Sequence, residues 1–339
     1  MRIILMAAGA GERLWPMSTQ DKPKQFLPLF PHPHDTTRTV SMIQRVYALL
    51  ESLGKKDMIS VVTTKDLAHW VSEQLGNVPL HILPHRKDTF GSVSYAALDA
   101  AKRFEMNEHD TFLFLPVDHW TNEDFYAKAL DLARLLRYDR EVIGLMGIAP
   151  SFPSQSYGYF EGANVKGRDY LRVWKFNEKP AEAEARKLVN ANALWNAGVF
   201  CFTRETAAKI IPFFEVMRRV RMDDWGFEKW YESLSDLSFD REVLEKHRTI
   251  HAHKFEGVWE DVGTWDRAMK YIPTQIVGEG ELVECENVNI VNSLPQPVIV
   301  AGLDDVAVVA TEQGIIITKK SLAARVKEFR LGRKEVYVL

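Results

Sequence analysis

The sequence predicts an α/β protein: a mostly parallel, mixed sheet with helices on both faces, followed by a small β-rich C-terminal domain. Three observations predict it. Short apolar runs alternate with segments of helical period through residues 1–150, the pattern of parallel strands joined by crossover helices. The first run ends directly in a glycine turn, Gly9-Ala10-Gly11. From residue 276 the helical period gives way to short β-runs, with Pro295 and Pro297 between them. These place a Rossmann-like domain at residues 1–275 and a second domain at 276–339.

Residues 3–6 are apolar in a row, as a strand buried on both faces requires. Gly9 and Gly11 then let backbone N–H groups approach something bulky, and Arg13, Lys22 and Lys24 add cations that an uncharged ligand would not need. Val40, Ile43, Val46, Tyr47 and Leu50 recur at helical spacing before Gly54. A strand at 58–63, a helix from Leu67 to Gly76, a strand at 80–84 and a helix at 91–104 follow. Residues 111–116 form a continuous apolar strand ending in Val117-Asp118-His119, and a helix at 125–136 and a strand at 142–148 complete this part. Strands with one helix between them occupy 157–203, then helices and one strand run over 204–271. The tail reads as β-runs at 288–291, 298–300, 306–310 and 315–318, with a helix at 321–329.

Composition narrows the function. With 339 residues, 46% hydrophobic and 26% charged, the chain supports a sizeable globular core. No apolar run approaches the ~20 residues of a membrane span, and no secretory h-region precedes Glu12. Cys201 and Cys285 are too few for a disulfide framework and fit a reducing compartment, so a cytoplasmic location is expected. A net charge of −3 with no long basic run argues against nucleic acid as a partner. A polyanionic ligand must then be met by a few placed cations and a divalent metal.

Two familiar phosphate loops fit the first turn badly. The dinucleotide fingerprint needs a third glycine opening a helix, but Arg13-Leu14-Trp15-Pro16 follows, and Pro16 would break that helix. The P-loop needs Lys-Ser/Thr where Glu12-Arg13 stands. Leu14-Trp15-Pro16-Met17-Ser18 with Pro23-Lys24-Gln25-Phe26-Leu27 instead resembles the signature of the sugar-nucleotide pyrophosphorylases, and most closely that of the mannose-1-phosphate guanylyltransferases. The likeness recurs at intervals to about residue 327.

The resemblance implies a set of site residues. Asp118 at the end of a buried strand fits a turn or cap on its own, or a hard-cation ligand. Trp259-Glu260-Asp261-Val262-Gly263-Thr264-Trp265 fits a core corner, but is similar to the family string whose aspartate completes the metal site. Asp118 and Asp261 are thus the implied Mg²⁺ pair, with Glu260 set aside. Phe176-Asn177-Glu178-Lys179-Pro180 implies Lys179 on the sugar phosphate and Glu178 on sugar hydroxyls; Gly158 and Asn196 belong to the same implied subsite. The implied nucleotide contacts are Ala8, Gly9, Gly11, Arg13, Lys24 and Asp118. Residues 84–91 depart from the family pattern, with Lys87, Asp88, Phe90 and Gly91 for Arg, Asn, Ala and Pro. A carboxylate suits the N1–H and N2–H₂ donors of guanine, which makes Asp88 a candidate base reader.

The implied reaction condenses GTP with α-D-mannose 1-phosphate to GDP-mannose and pyrophosphate, by in-line, metal-assisted attack on the α-phosphorus. Arg13, Lys24 and Lys179 are its catalytic cations, and a homodimer is a plausible assembly. Alternatives are the same chemistry with UTP, dTTP or ATP and glucose 1-phosphate, or a non-catalytic regulator that binds sugar nucleotides. A nicotinamide oxidoreductase lacks its third fingerprint glycine. Isomerase activity is not expected, since the chain stops where bifunctional relatives add that domain. His251-x-His253 has no further ligand at metal-site spacing and reads as surface or packing. No Ser-His-Asp arrangement is evident.

Overall fold

The computed structural model describes residues 1–9, 11–137, 141–221 and 225–326. Its contacts divide the chain into two compact units that interleave in sequence. Met1–Ala8, Leu50–Pro116 and Asn122–Val258 form the first; Gly9–Leu49, Val117–Thr121 and the chain from Trp259 onward form the second.

The first unit is built on a nine-stranded sheet. Its order is Leu80–Leu83, Ile59–Thr64, Arg2–Met6, Thr111–Pro116, Leu194–Thr203, Ile143–Ile148, Ile250–Phe255, Leu171–Asn177 and Tyr159–Asn164. The first four strands pair in parallel. Leu194–Thr203 runs antiparallel to both of its flanking neighbours, which makes the sheet mixed. Ile3, Ile4 and Leu5 are fully buried, so the first strand is apolar on successive residues rather than alternating. The Thr89–Arg103 helix turns Ala96, Ala97, Ala100 and Ala101 inward and packs on Leu80–Leu83. The Glu123–Leu135 helix starts where the Asn122 side chain accepts from Phe125 N–H at 3.4 Å, and it packs on Ile250–Phe255. Rings fill the core: Phe114 stacks on Phe202 at 5.6 Å, and Phe202 packs on Phe239 at 5.7 Å.

The second unit buries Leu14, Phe30, Val262, Trp265, Val291 and Val309 together. Its β-rich part pairs successive runs in parallel: Ile276–Val277 with Asn289–Asn292, that strand with Val306–Thr311, and Gly280–Val283 with Val298–Ala301. This is a solenoid-like stacking, closed by antiparallel Gly314–Lys319. The expected terminal helix is a 3-10 turn at Lys320–Arg325, and residues 327–329 lie outside the described residues. Two antiparallel pairs were not expected from the sequence, Phe30–His32 with Asp35–Val40 and His119–Thr121 with Trp259–Asp261.

Candidate active site

The second of those pairs organises the charged cluster of the second unit. Asp261 lies opposite His119 in the ladder, and Asp118 immediately precedes that strand, so two carboxylates remote in sequence become neighbours. Lys24 is lodged between them, with Nζ 2.9 Å from Asp118 Oδ2 and 3.5 Å from Asp261 Oδ1. The Lys24 side chain is only 8% exposed, so the attraction acts where water screens it little. Arg13 reaches the other Asp261 oxygen at 3.9 Å. Burial works against the charged forms, but the mutual attraction outweighs it. Lys24 is held above its ordinary pKa, and Asp118 and Asp261 below the usual carboxylate range.

Glycines make room for this cluster. A Cβ on Gly263 would stand 2.8 Å from Asp261 Oδ1 and 3.0 Å from Lys24 Nζ. The Gly263 N–H donates to Asp261 Oδ1 at 2.9 Å, fixing that carboxylate's rotamer. Gly11 has φ +54°, and a Cβ there would meet the Lys24 backbone N at 2.9 Å. Gly9 is open to solvent; its carbonyl accepts from Gln25 Nε2 at 2.9 Å, a loop tie the sequence did not mark. Trp265 Nε1 donates to the Trp15 carbonyl at 2.8 Å, which joins the two tryptophan strings. His119 packs on Trp259 at 4.7 Å, with Nε2 3.6 Å from Asp118 Oδ1. The carboxylate pair fits a hard cation of the Mg²⁺ kind, which takes one or two carboxylates alongside phosphate oxygens.

The expected sugar-phosphate residues gather in the first unit. Lys179 Nζ lies 3.0 Å from Glu178 Oε1, and the Asn196 N–H donates to the Gly158 carbonyl at 2.8 Å. A Cβ on Gly158 would fall 2.6 Å from Glu178 Oε2, so glycine is what admits the glutamate. Lys179 sits at φ +47°, a left-handed conformation unusual for a side-chain residue and doubly so before Pro180. Asp240 completes the group and was not found from the sequence. It lies on a π-helical turn, Asp240–Leu244, and accepts from Asn196 Nδ2 at 2.6 Å. Burial and the nearby Glu178 charge push its pKa up to about 7. Burial raises Glu178 as well.

The remaining candidates have structural partners. Ala8 packs against the core of the first unit. Asp88 is the N-cap of the Thr89–Arg103 helix, accepting from the Thr89 N–H at 2.6 Å. Lys87 donates to the Glu232 and Leu234 carbonyls, and a Cβ on Gly91 would lie 2.8 Å from Lys87 Cβ. The departures at 87 and 91 are therefore one packing unit. A hydrogen-bonded Ser60–His81–Asp99 string also exists, with His81 2.9 Å from Ser60 Oγ and 2.6 Å from Asp99 Oδ2. Ser60 and His81 are wholly buried, so the string braces the sheet and offers no nucleophile.

Comparison with known proteins identifies the family. The nucleotidyl transferase family model matches residues 2–274. A mannose-1-phosphate guanylyltransferase of Sinorhizobium fredii is 29% identical over 341 residues, covering 92% of this chain and 64% of that protein. The alginate biosynthesis protein AlgA of Pseudomonas fluorescens is 28% identical over 351 residues, covering 96% of this chain and 70% of its own. The chain thus spans about two thirds of these relatives' length. A solved structure described as mannose-1-phosphate geranyltransferase from Thermus thermophilus aligns with a TM-score of 0.80 at 26% identity, covering 98% of this chain and 99% of that one.

Proposed function

The chain belongs to the nucleotidyltransferase family, and on that premise we propose that it condenses GTP with α-D-mannose 1-phosphate to GDP-mannose and pyrophosphate. The observation that carries the reading is Lys24 held between Asp118 and Asp261 with Arg13 beside them. The names of the similar proteins support the choice of base and sugar.

The chemistry needs no covalent intermediate. A sugar 1-phosphate has its second pKa near ~6, so its oxygen is already anionic at neutral pH and needs no general base. The barrier is electrostatic, an anion approaching a polyanion, and the chain's task is positioning and charge compensation. Lys24 neutralises the α-phosphate oxygens, while Arg13 and the Gly9 and Gly11 amides hold the triphosphate. Lys179 takes the sugar phosphate, and Glu178 and Asn196 bond the sugar hydroxyls. Asp118 and Asp261 would hold Mg²⁺, whose charge would offset that of the phosphates.

A second reading keeps the chemistry and changes the base. It is favoured by Asp88, whose carboxylate already caps a helix. Pyrophosphate release is to be measured with mannose 1-phosphate and GTP, with and without Mg²⁺, and then with ATP, UTP and dTTP. Release with GTP and Mg²⁺ is expected; preference for another triphosphate would select the second reading, and no release with any pair would overturn both.

A further inference from the structure

His253 lies on the Ile250–Phe255 strand with its side chain wholly buried. Its Nδ1 is 3.1 Å from the Asp169 carbonyl oxygen. A carbonyl can only accept, so the ring carries its proton on Nδ1 and a lone pair on Nε2. That Nε2 is buried with no hydrogen-bond partner among the described residues, a state that native interiors rarely leave unexplained. It is turned instead towards carboxylates. Asp131 Oδ2, from the Glu123–Leu135 helix, is 3.9 Å away. Asp169, from the turn between two antiparallel strands, supplies a second carboxylate, and one ligand atom from each of the three residues lies within 4.8 Å of the others.

We propose that Asp131, Asp169 and His253 form a binding site for a divalent transition-metal ion, built from none of the residues assigned above. An imidazole whose Nδ1–H is fixed by a backbone carbonyl presents Nε2 as a ligand. One nitrogen and two carboxylate oxygens suit Zn²⁺ better than Mg²⁺ or Ca²⁺, which prefer all-oxygen shells. Ligand bonds of about 2.0–2.2 Å set donors roughly 3.3 Å apart. Closing to that distance moves only Asp131 and Asp169, whose side chains are 26% and 59% exposed. The cations now beside them are Arg134, 3.0 Å from Asp131 Oδ1, and Lys128, 3.8 Å from Asp169 Oδ2. Both pairs face solvent and are cheaply displaced. The ion ties the turn bearing Asp169 to a helix and to a buried strand.

The test is calorimetric titration of the full chain with Zn²⁺, alongside melting curves with and without the ion. Wild type takes up one equivalent that Asp169→Asn and Asp131→Asn bind at least about tenfold more weakly, and its melting temperature rises with Zn²⁺ more than theirs does. Because Asp169 is exposed, Asp169→Asn leaves the fold intact even if a His253 variant does not fold. Equal uptake and affinity in wild type and both asparagine variants, or no uptake by wild type, overturns the proposal.

Discussion

Asp240 makes the sharpest prediction because its environment sets the sign of a pH dependence. In the native state its carboxyl keeps a proton to about pH 7, against an ordinary value of 3.8. Between those values the folded chain therefore binds more protons than the unfolded one, and stability must fall as pH rises. The contribution is fully present below the unfolded pKa and is gone once pH passes about 7. The interval corresponds to at most about 4 kcal/mol, at 1.36 kcal/mol for each pH unit. The observed loss should be nearer ~2–3 kcal/mol, because Glu178 shares the same buried pocket and takes part of the proton binding. Asp240→Asn keeps an acceptor for the Asn196 amide and removes the titration. Urea unfolding of both proteins from about pH 5 to about pH 8 checks this, with the wild type losing ~2–3 kcal/mol more than the variant. Parallel stability profiles for the two would refute the reasoning.

Four further outcomes follow from the geometry. Lys24→Ala should lower kcat by ~10²–10³, the scale of one transition-state charge contact, and a variant turning over normally removes Lys24 from the mechanism. Gly263→Ala should lower pyrophosphate release while the far-UV spectrum stays native, since the added methyl meets Asp261 Oδ1 at 2.8 Å and Lys24 Nζ at 3.0 Å; unchanged turnover would mean the cluster repacks freely. His81→Ala removes the ring that ties Ser60 in the sheet to Asp99 on the Thr89–Arg103 helix, leaving Ser60 its bond to the Ile3 carbonyl and Asp99 its pair with Arg103. It should cost roughly 2–4 kcal/mol in urea unfolding, with no such loss if water replaces the ring. Asp88→Asn should shift the preference among GTP, ATP and UTP if the carboxylate reads guanine, and should leave the preference alone if it only caps its helix.

Much of the fold could be read because it rests on local signals. The runs at 3–6 and 111–116 are apolar without interruption, which a doubly covered strand demands, and glycine and period mark the helices between them. The cations of the first loop stand out in the sequence as fixed charge beside glycine, whereas the carboxylates that Arg13 and Lys24 face, Asp118 and Asp261, come from far along the chain. Asp240 was not legible: a one-turn π-helix leaves no period, and its raised pKa comes from burial first and then from Glu178, which is distant in sequence. The sequence reads His253 as surface or packing, since no further ligand stands at metal-site spacing, and its carboxylate neighbours Asp131 and Asp169 come from a helix and a turn far back in the chain. In both cases the informative contact is long-range, and no window of sequence contains it.

The choice between Glu260 and Asp261 shows what the fold adds to a motif. Both are carboxylates in one string, and residue type alone does not separate them. In the ladder Asp261 pairs with His119 and Glu260 with Trp120, so the strand's alternation sends their side chains to opposite faces. Asp261 turns to Lys24 and Arg13; Glu260 turns to Lys270 Nζ at 2.8 Å and accepts from the Tyr271 hydroxyl at 2.8 Å. A slip of one residue would exchange them, placing Glu260 beside Lys24 and Asp261 beside Tyr271. The register of three residue pairs thus decides which acid faces the cations, and the packing of Trp259 on His119 and of Tyr271 on Trp120 holds that register.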